Sequence, residues 1–139
     1  MAPTSEASSQ AVVHEFYACI GRGDFGSALE LMDETAVLEF FGPSAIPLSG
    51  RYGGRDEIKG FFERIGDALT IEKFEVQDFI VDGDKVAVTG RERSTVRNTG
   101  RTFDVPWVQI FDVAGGRITL LRDYFETASL LQAFTDNKK

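Results

Sequence analysis

The C-terminal half of the chain is a series of four β-type segments joined by very short gaps. Each segment is rich in β-branched and aromatic residues, and each gap has three residues, at least one of them glycine; the segments are 71–81, 85–97, 101–113 and 117–126. Gaps of this length reverse the chain direction, and glycine supplies the positive φ angles that tight turns require. The four segments therefore predict an antiparallel meander.

Three helices and one strand are predicted ahead of the meander. A first helix ends at Gly21, and Asp24 is placed to cap a short second helix. A β-type run occupies 35–41, and helical periodicity returns over 55–69 after a loop rich in Pro and Gly. The apolar stripes of the helices are Val13, Phe16, Tyr17 and Ile20 in the first, Phe25, Leu29 and Met32 in the second, and Ile58, Phe61, Phe62, Ile65 and Leu69 in the third.

The order of these elements predicts an α+β fold. Helix, helix, strand and helix precede the four strands, and a last helical turn capped by Thr127 follows them. With the helices on one face, we expect a strongly curved antiparallel sheet that forms a cone over the N-terminal helices. Such a cone retains a cavity with a mouth. A single domain is predicted over 9–135, with a disordered lead over 1–8 and a tail over 136–139.

Size and charge narrow the classes of function. The chain has 139 residues, enough for one domain core, and a net charge of −7. That charge disfavours nucleic acid and anionic membrane surfaces as partners. The sequence does not open with a basic segment followed by an apolar one, and no apolar run approaches the roughly 18 residues of a membrane span. A cytoplasmic protein is therefore expected.

Metal and thiol chemistry have few candidate residues. His14 is the single histidine and is expected at the surface, and Cys19 is the single cysteine and is expected to be a small buried apolar residue. No His, Cys or carboxylate cluster has metal-ligand spacing, and no glycine motif for phosphate is present. No metal and no cofactor are predicted. Twelve phenylalanines, by contrast, supply flat rings for a core or for the wall of an apolar pocket.

Several short motifs, taken in their order and spacing, resemble one superfamily. They are Phe16–Tyr17, Gly23–Asp24, Gly53–Ile58, Trp107–Phe111, Gly116–Ile118 and Leu121–Phe125. Over roughly residues 10 to 134 the chain resembles the nuclear transport factor 2-like superfamily, and within it the SnoaL-like branch that includes polyketide cyclases. Ketosteroid isomerase and limonene epoxide hydrolase are relatives of this branch. Because the superfamily contains enzymes and non-enzymes, the resemblance implies a fold before it implies a reaction.

Asp123 is the candidate catalytic residue. Side chains alternate along a strand, so Asp123 shares a face with Leu121 and Phe125, whereas Arg122 points the other way. If this face lines the cone, desolvation raises the pKa of Asp123 and suits it to proton transfer. The resemblance implies the same role, since limonene epoxide hydrolase has an Asp at this position of the strand as its general acid. The alternative is a solvated or ion-paired Asp at the sheet rim.

Three further polar residues are predicted to point into the cone or towards its mouth. Gln109 shares a strand face with Trp107, and either binds a ligand or orients Asp123, because a buried amide needs partners. Glu92 and Ser94 share the more apolar face of their strand and are expected near the mouth. The alternative for Glu92 is an ion pair with an arginine at the rim.

The remaining candidate substrate-binding residues are apolar or aromatic: Phe16, Tyr17, Leu38, Phe40, Trp107, Leu121 and Phe125. For Tyr17, a packing role is favoured over donation to a ligand. The resemblance also implies what is missing. Phe16, Phe40 and Gln109 stand where ketosteroid isomerase has its Tyr and two Asp residues. Limonene epoxide hydrolase has an Arg-x-Asp pair where this chain has Glu92 and Ser94, and a Tyr and an Asn where it has Leu38 and Phe40. Only Asp123 of these constellations is retained.

The resemblance and the residues together predict a SnoaL-like enzyme. It would be a cyclase, isomerase or lyase that binds a small apolar ring-containing metabolite and uses Asp123 for general acid–base chemistry. The alternative is a non-catalytic dimer that binds a hydrophobic ligand, and an epoxide hydrolase is a distant third. A homodimer is expected because the second face of the sheet carries Val108, Ile110, Leu120 and Tyr124, more apolar surface than a monomer usually exposes.

Overall fold

A computed structural model describes residues 5–135 of the chain, with side chains from residue 8 onward. The elements follow one another in this order: α1 (Ser5–Gly21), α2 (Phe25–Glu30), β1 (Met32–Phe41), β2 (Gly50–Gly53), α3 (Arg55–Ala68), β3 (Leu69–Asp82), β4 (Lys85–Val96), β5 (Thr102–Ala114), β6 (Arg117–Phe125) and α4 (Thr127–Phe134). The α+β class predicted from the sequence is confirmed.

The six strands form one curved sheet that does not close into a barrel. Their order is β2-β1-β6-β5-β4-β3, and β3 to β6 form the predicted antiparallel meander. β1 pairs with β6 in parallel, so the sheet is not antiparallel throughout. Register shifts in the β1–β6, β3–β4 and β5–β6 pairs mark irregularities, which bend strands and increase their twist.

The helices bury their apolar stripes against this sheet. α3 has acidic residues in its first turn, where they suit the helix dipole, and it buries Ile58 and Phe61 while packing on β1 and β2. α1 buries Val13 and Phe16. The predicted cap of α2 is confirmed, because the Asp24 carboxylate accepts a hydrogen bond from the backbone amide of Ser27 at 3.1 Å.

Some element boundaries differ from the sequence prediction. α1 begins at Ser5, four residues before the predicted start of the domain, and β1 begins at Met32, which the sequence placed on α2. Residues 1–4 and 136–139 of the predicted lead and tail lie outside the described residues. β2 was predicted as loop, and α4 is capped by Glu126 instead of Thr127. The Glu126 carboxylate accepts from the Ser129 amide at 2.8 Å.

Gly90 allows the indole ring of Trp107 to lie directly on β4. The two residues are register partners in the β4–β5 pair, and both are buried. A Cβ atom at Gly90 would lie 2.1 Å from Cζ2 of Trp107 and 2.2 Å from the carbonyl oxygen of Glu75. No real Cβ is tolerated at such distances. Glycine is therefore required here for close packing, with no need for a positive φ angle.

Gly90→Ala is expected to lower the free energy of unfolding by about 3 kcal/mol, at the upper end of what overpacking costs, because the backbone of β3 must shift as well as the indole. Urea unfolding followed by tryptophan fluorescence measures this loss. Gly60→Ala on α3 is the matched control. Its new methyl would meet nothing within 4 Å, so stability should stay equal or rise slightly. Equal stabilities of both variants would contradict the packing argument.

The outer face of the sheet is partly apolar. Val108, Ile110 and Leu120 are half-buried there, and Tyr124 is exposed and stacks on Phe41 with ring centroids 4.7 Å apart. The homodimer expected through this face stays a prediction. Between residues 5 and 135, none of the helices has the length and apolarity that crossing a bilayer demands.

Candidate active site

A cavity of about 550 Å³ lies between the concave face of the sheet and the helices. Its volume falls within the range of roughly 300–1,000 Å³ that is usual for small-molecule sites. Eight of the twelve phenylalanines line it: Phe16, Phe25, Phe40, Phe61, Phe62, Phe74, Phe103 and Phe125. The wall is therefore rich in flat aromatic rings.

The entrance is marked by the exposed residues among those that line the cavity. They are Gly21 at the end of α1, Phe25 at the start of α2, Gly66 on α3 and Ile71 on β3. Phe25 and Ile71 are 44 % and 47 % exposed, far more than most apolar side chains of the wall. A ligand would enter between these elements, across an apolar rim.

Asp123 lies in the wall and is almost fully buried, as strand alternation predicted. β6 places it between Phe40 on β1 and Gln109 on β5, its register partners on the two neighbouring strands. Within the described part of the chain, its Oδ1 atom has no hydrogen-bond partner. Burial raises the pKa of Asp123 to about 8; the hydrogen bond from Gln109 offsets part of this rise, and the charge of Glu92 adds to it.

Gln109 connects Asp123 to the first helix. Its Oε1 accepts a hydrogen bond of 2.5 Å from the hydroxyl group of Tyr17, and its side chain also hydrogen-bonds to Asp123. Burial, followed by the charge of Asp123, raises the pKa of Tyr17, which keeps the phenol neutral and donating. The amide is thus held from both sides, which favours the orienting role among the two that the sequence left open for Gln109.

Glu92 is the second carboxyl group in the wall. It is 5 % exposed, and its Oε2 accepts a hydrogen bond of 2.6 Å from the hydroxyl of Ser94. Burial raises the pKa of Glu92 to about 7, with the Ser94 hydrogen bond acting in the opposite direction. Arg91 and Arg93, its neighbours on β4, pair with Asp104 and Glu72 instead. The rim ion pair considered for Glu92 is therefore not formed.

Asp123 and Glu92 occupy separate parts of the cavity. The register partner of Asp123 on β5 is Gln109, and that of Gln109 on β4 is Val88. Glu92 lies four residues beyond Val88, so the backbone positions of Val88 and Glu92 are about 13 Å apart at the usual rise per residue. For each carboxyl the largest cause of the raised pKa is its own burial. The charge of Glu92 adds a smaller rise to the pKa of Asp123.

Most of the predicted substrate-binding residues line the cavity, namely Gln109, Glu92, Phe16, Tyr17, Leu38, Phe40, Leu121 and Phe125. Ser94 and Trp107 do not line it. Ser94 is fully buried and reaches only Glu92, and Trp107 packs behind the wall against Phe74, with ring centroids 4.9 Å apart. The missing side chain at Gly90 explains the position of Trp107, because it gives the indole room to lie back on the sheet.

Sequence reasoning missed part of the wall and one polar contact. Phe61, Phe62 and Ile65 of α3 and Leu69, Ile71, Phe74 and Val76 of β3 also line the cavity. The apolar face of α3 was evident from its period, but the period does not tell whether such a face packs in a core or lines a cavity. For Tyr17, a packing role was favoured, whereas its hydroxyl supports the Gln109 amide; the need of a buried hydroxyl for a partner was the available signal.

The wall combines carboxyl groups with no cationic side chain. Between residues 8 and 135, none of the side chains that line the cavity belongs to Lys, Arg or His, and the polar ones are Tyr17, Glu92, Gln109 and Asp123. A carboxyl group with a pKa near 8 in an apolar cavity can both take up and release a proton near neutral pH. The site therefore suits proton transfer on an apolar molecule that carries no negative charge of its own.

Comparison with known proteins gives one family match. The sequence profile of the SnoaL-like domain matches residues 13–121. No protein among those with curated functions matches the sequence.

Solved structures share the fold over nearly the whole chain. A nuclear transport factor 2-like protein from Burkholderia xenovorans LB400 is 27 % identical, with a TM-score of 0.87, covering 96 % of this chain and 100 % of its own. A candidate isomerase from Bacillus subtilis is 21 % identical, with a TM-score of 0.80 and coverages of 98 % and 100 %. A candidate polyketide cyclase from Xanthomonas campestris is 19 % identical, with a TM-score of 0.75 and coverages of 95 % and 100 %. At these identities the last two show a common fold alone.

Proposed function

Because the chain belongs to the SnoaL-like domain family, we propose that it is an acid–base enzyme, a cyclase, isomerase or lyase, that acts on a small apolar ring compound. Among proteins of similar fold, one is named as a candidate isomerase and one as a candidate polyketide cyclase. The observation that carries the proposal is the Asp123 carboxyl group, which lines the cavity and is buried in its apolar wall, with no partner for Oδ1 among the residues that the structure describes. A carboxyl group in this position can exchange a proton with a molecule bound in the cavity.

One proton transfer is common to the three reaction types. The Asp123 carboxylate takes the proton from a carbon next to a carbonyl group, and the C–H electron pair moves into an enolate. In a cyclase the α-carbon of the enolate attacks a second carbonyl carbon of the same molecule, whose C=O π pair becomes an alkoxide. In an isomerase a conjugated dienolate is reprotonated at a different carbon, and in a lyase a C=C bond forms while a group on the β-carbon leaves with its bonding electrons. The Asp123 carboxylic acid returns the proton. Gln109, held by Tyr17, keeps the carboxyl group in place while its charge changes.

Exchange of carbon-bound hydrogen for deuterium tests this step without knowledge of the natural substrate. 2-Tetralone and 2-indanone are flat apolar ketones with acidic C–H groups, and NMR in D₂O follows the incorporation of deuterium. Since the carboxylate is the base, the catalysed rate should rise with pH and level off above an apparent pKa near 8. A rate equal to that of buffer at every pH for both ketones would overturn the proposal.

The second candidate function is non-catalytic binding of a hydrophobic ligand. The phenylalanine-lined wall favours it, because that wall would hold a flat apolar molecule whether or not a reaction follows. Isothermal titration calorimetry with the same two ketones separates the candidates. Binding without exchange would support the binding protein, and binding with exchange would support the enzyme.

A further inference from the structure

We propose that Glu92 determines substrate specificity: its carboxyl group contacts a hydroxyl group on the part of the substrate remote from Asp123, and the cavity rejects anionic compounds. This inference rests on the proposed function, since it concerns the ligand of the same cavity. It identifies the substrate class as an uncharged, flat compound of more than one ring that bears a hydroxyl group.

Glu92 presents one oxygen to the cavity and has the other one fixed. Ser94, fully buried behind the wall, donates to Oε2 at 2.6 Å. The second oxygen, Oε1, has no hydrogen-bond partner among the residues that the structure describes. Oε1 is also not among the fully covered atoms that lack a partner, so its surface is open and a ligand hydroxyl can reach it to form a hydrogen bond.

The distance between the two carboxyl positions sets the length of the ligand. Glu92 lies two strands away from Asp123 and about 13 Å further along the sheet, measured by strand rise. The side chains converge from the concave face across a cavity of about 550 Å³. A molecule that touches both carboxyl groups must therefore extend from the β6 part of the wall to the β4 part, which favours a compound of more than one ring.

A hydroxyl group matches a carboxyl group in either protonation state. It donates to a carboxylate and accepts from a carboxylic acid, and burial raises the pKa of Glu92 to about 7, so both forms occur near neutral pH. An ether oxygen, such as that of a methoxy group, can only accept a hydrogen bond, so it finds no donor in an ionised Glu92. A ligand carboxylate would meet two acidic side chains and no Lys, Arg or His in the wall, and its desolvation would not be offset.

Three ketones with the same two-ring skeleton test the proposal: 6-hydroxy-, 6-methoxy- and 6-carboxy-2-tetralone. Isothermal titration calorimetry at pH 8, where most Glu92 side chains are ionised and only accept, gives their dissociation constants. For the unmodified protein we expect the hydroxy compound to bind roughly tenfold more tightly than the methoxy compound. The carboxy compound should bind at least about tenfold more weakly than the methoxy compound.

Glu92→Gln keeps the size of the side chain and a partner for Ser94, and it should reduce the preference for hydroxy over methoxy to less than about threefold. Glu75→Gln is the matched control. Glu75 lies on the neighbouring strand, pairs with Lys73 at 3.2 Å and does not line the cavity, so the preference should be unchanged. An unchanged preference in Glu92→Gln, or tight binding of the carboxy compound, would overturn the inference.

These outcomes are separable from those of the proposed function. The preference is read from binding alone, whereas the acid–base role of Asp123 is read from deuterium exchange of unsubstituted ketones. A Glu92-dependent preference without exchange would support this inference and contradict the enzyme. Exchange that follows the pKa of Asp123, with no effect of Glu92→Gln on the preference for the hydroxy compound, would support the enzyme and contradict this inference.

Discussion

Replacing Asp123 with asparagine is expected to lower the catalysed rate of deuterium exchange by roughly 10²- to 10⁴-fold, the usual contribution of a general acid–base group. The amide of asparagine has nearly the same size and can still bond to Gln109, but it takes up no proton from carbon. The apolar wall remains, so the ketones should bind with similar affinity. The loss should therefore appear in kcat, with little change in binding.

Asp104→Asn is the matched control for this substitution. Asp104 makes an exposed ion pair with Arg91 at 2.8 Å on the outer face of the sheet. Exposed ion pairs contribute little to stability, so this variant should fold and exchange like the unmodified protein. Exchange by Asp123→Asn at the full rate would assign the proton transfer to another group and remove Asp123 from the mechanism.

The same Asp123→Asn variant is expected to be more stable than the unmodified protein at alkaline pH. The pKa of Asp123 is about 8 in the folded protein, above its ordinary value of 3.8. Below about pH 4 the carboxyl group is protonated in both the folded and the unfolded protein, so it does not change the free energy of unfolding. As the pH rises from 4 to 8, Asp123 ionises in the unfolded chain but stays protonated in the folded one. The free energy of unfolding therefore falls by up to roughly 1.4 kcal/mol per pH unit.

Asparagine has no charge to bury, so the stability advantage of the variant should grow between pH 4 and pH 8 and remain constant above. Glu92 titrates in both proteins, so its contribution largely cancels in the difference. Urea unfolding at pH 5, 7 and 9 measures the advantage, with Asp104→Asn as the control that shows no such trend. An advantage that is equal at the three pH values would contradict the buried, protonated state of Asp123.

Strand alternation was sufficient to place the polar residues of the site. The period of two put Asp123, Gln109 and Glu92 on the buried face of three adjacent strands, and the structure has all of them there. The meander itself followed from three short glycine-containing gaps. Both inferences depend on local geometry alone, which a sequence contains in full.

What the sequence did not predict depends on partners that are distant along the chain. β2 has four residues, two of them glycine, and its apolar and polar residues do not alternate. It forms a strand because it pairs with β1. The position of Trp107 depends on Gly90, 17 residues earlier, and on the stack with Phe74. The role of Tyr17 depends on Gln109, which is 92 residues away. None of these partners is evident from local pattern.

The parallel pairing of β1 with β6 has a consequence for how the molecule assembles. The last strand to be synthesised is inserted between β1 and β5, so the β1–β2 hairpin joins the rest of the sheet only through β6. Phe40 and Asp123 become neighbours in this late step, across a loop of more than eighty residues. Because closing so long a loop costs entropy before any contact compensates for it, folding should be slow, and a nascent chain still lacking β6 would have neither a continuous sheet nor the Asp123 carboxyl group in its cavity.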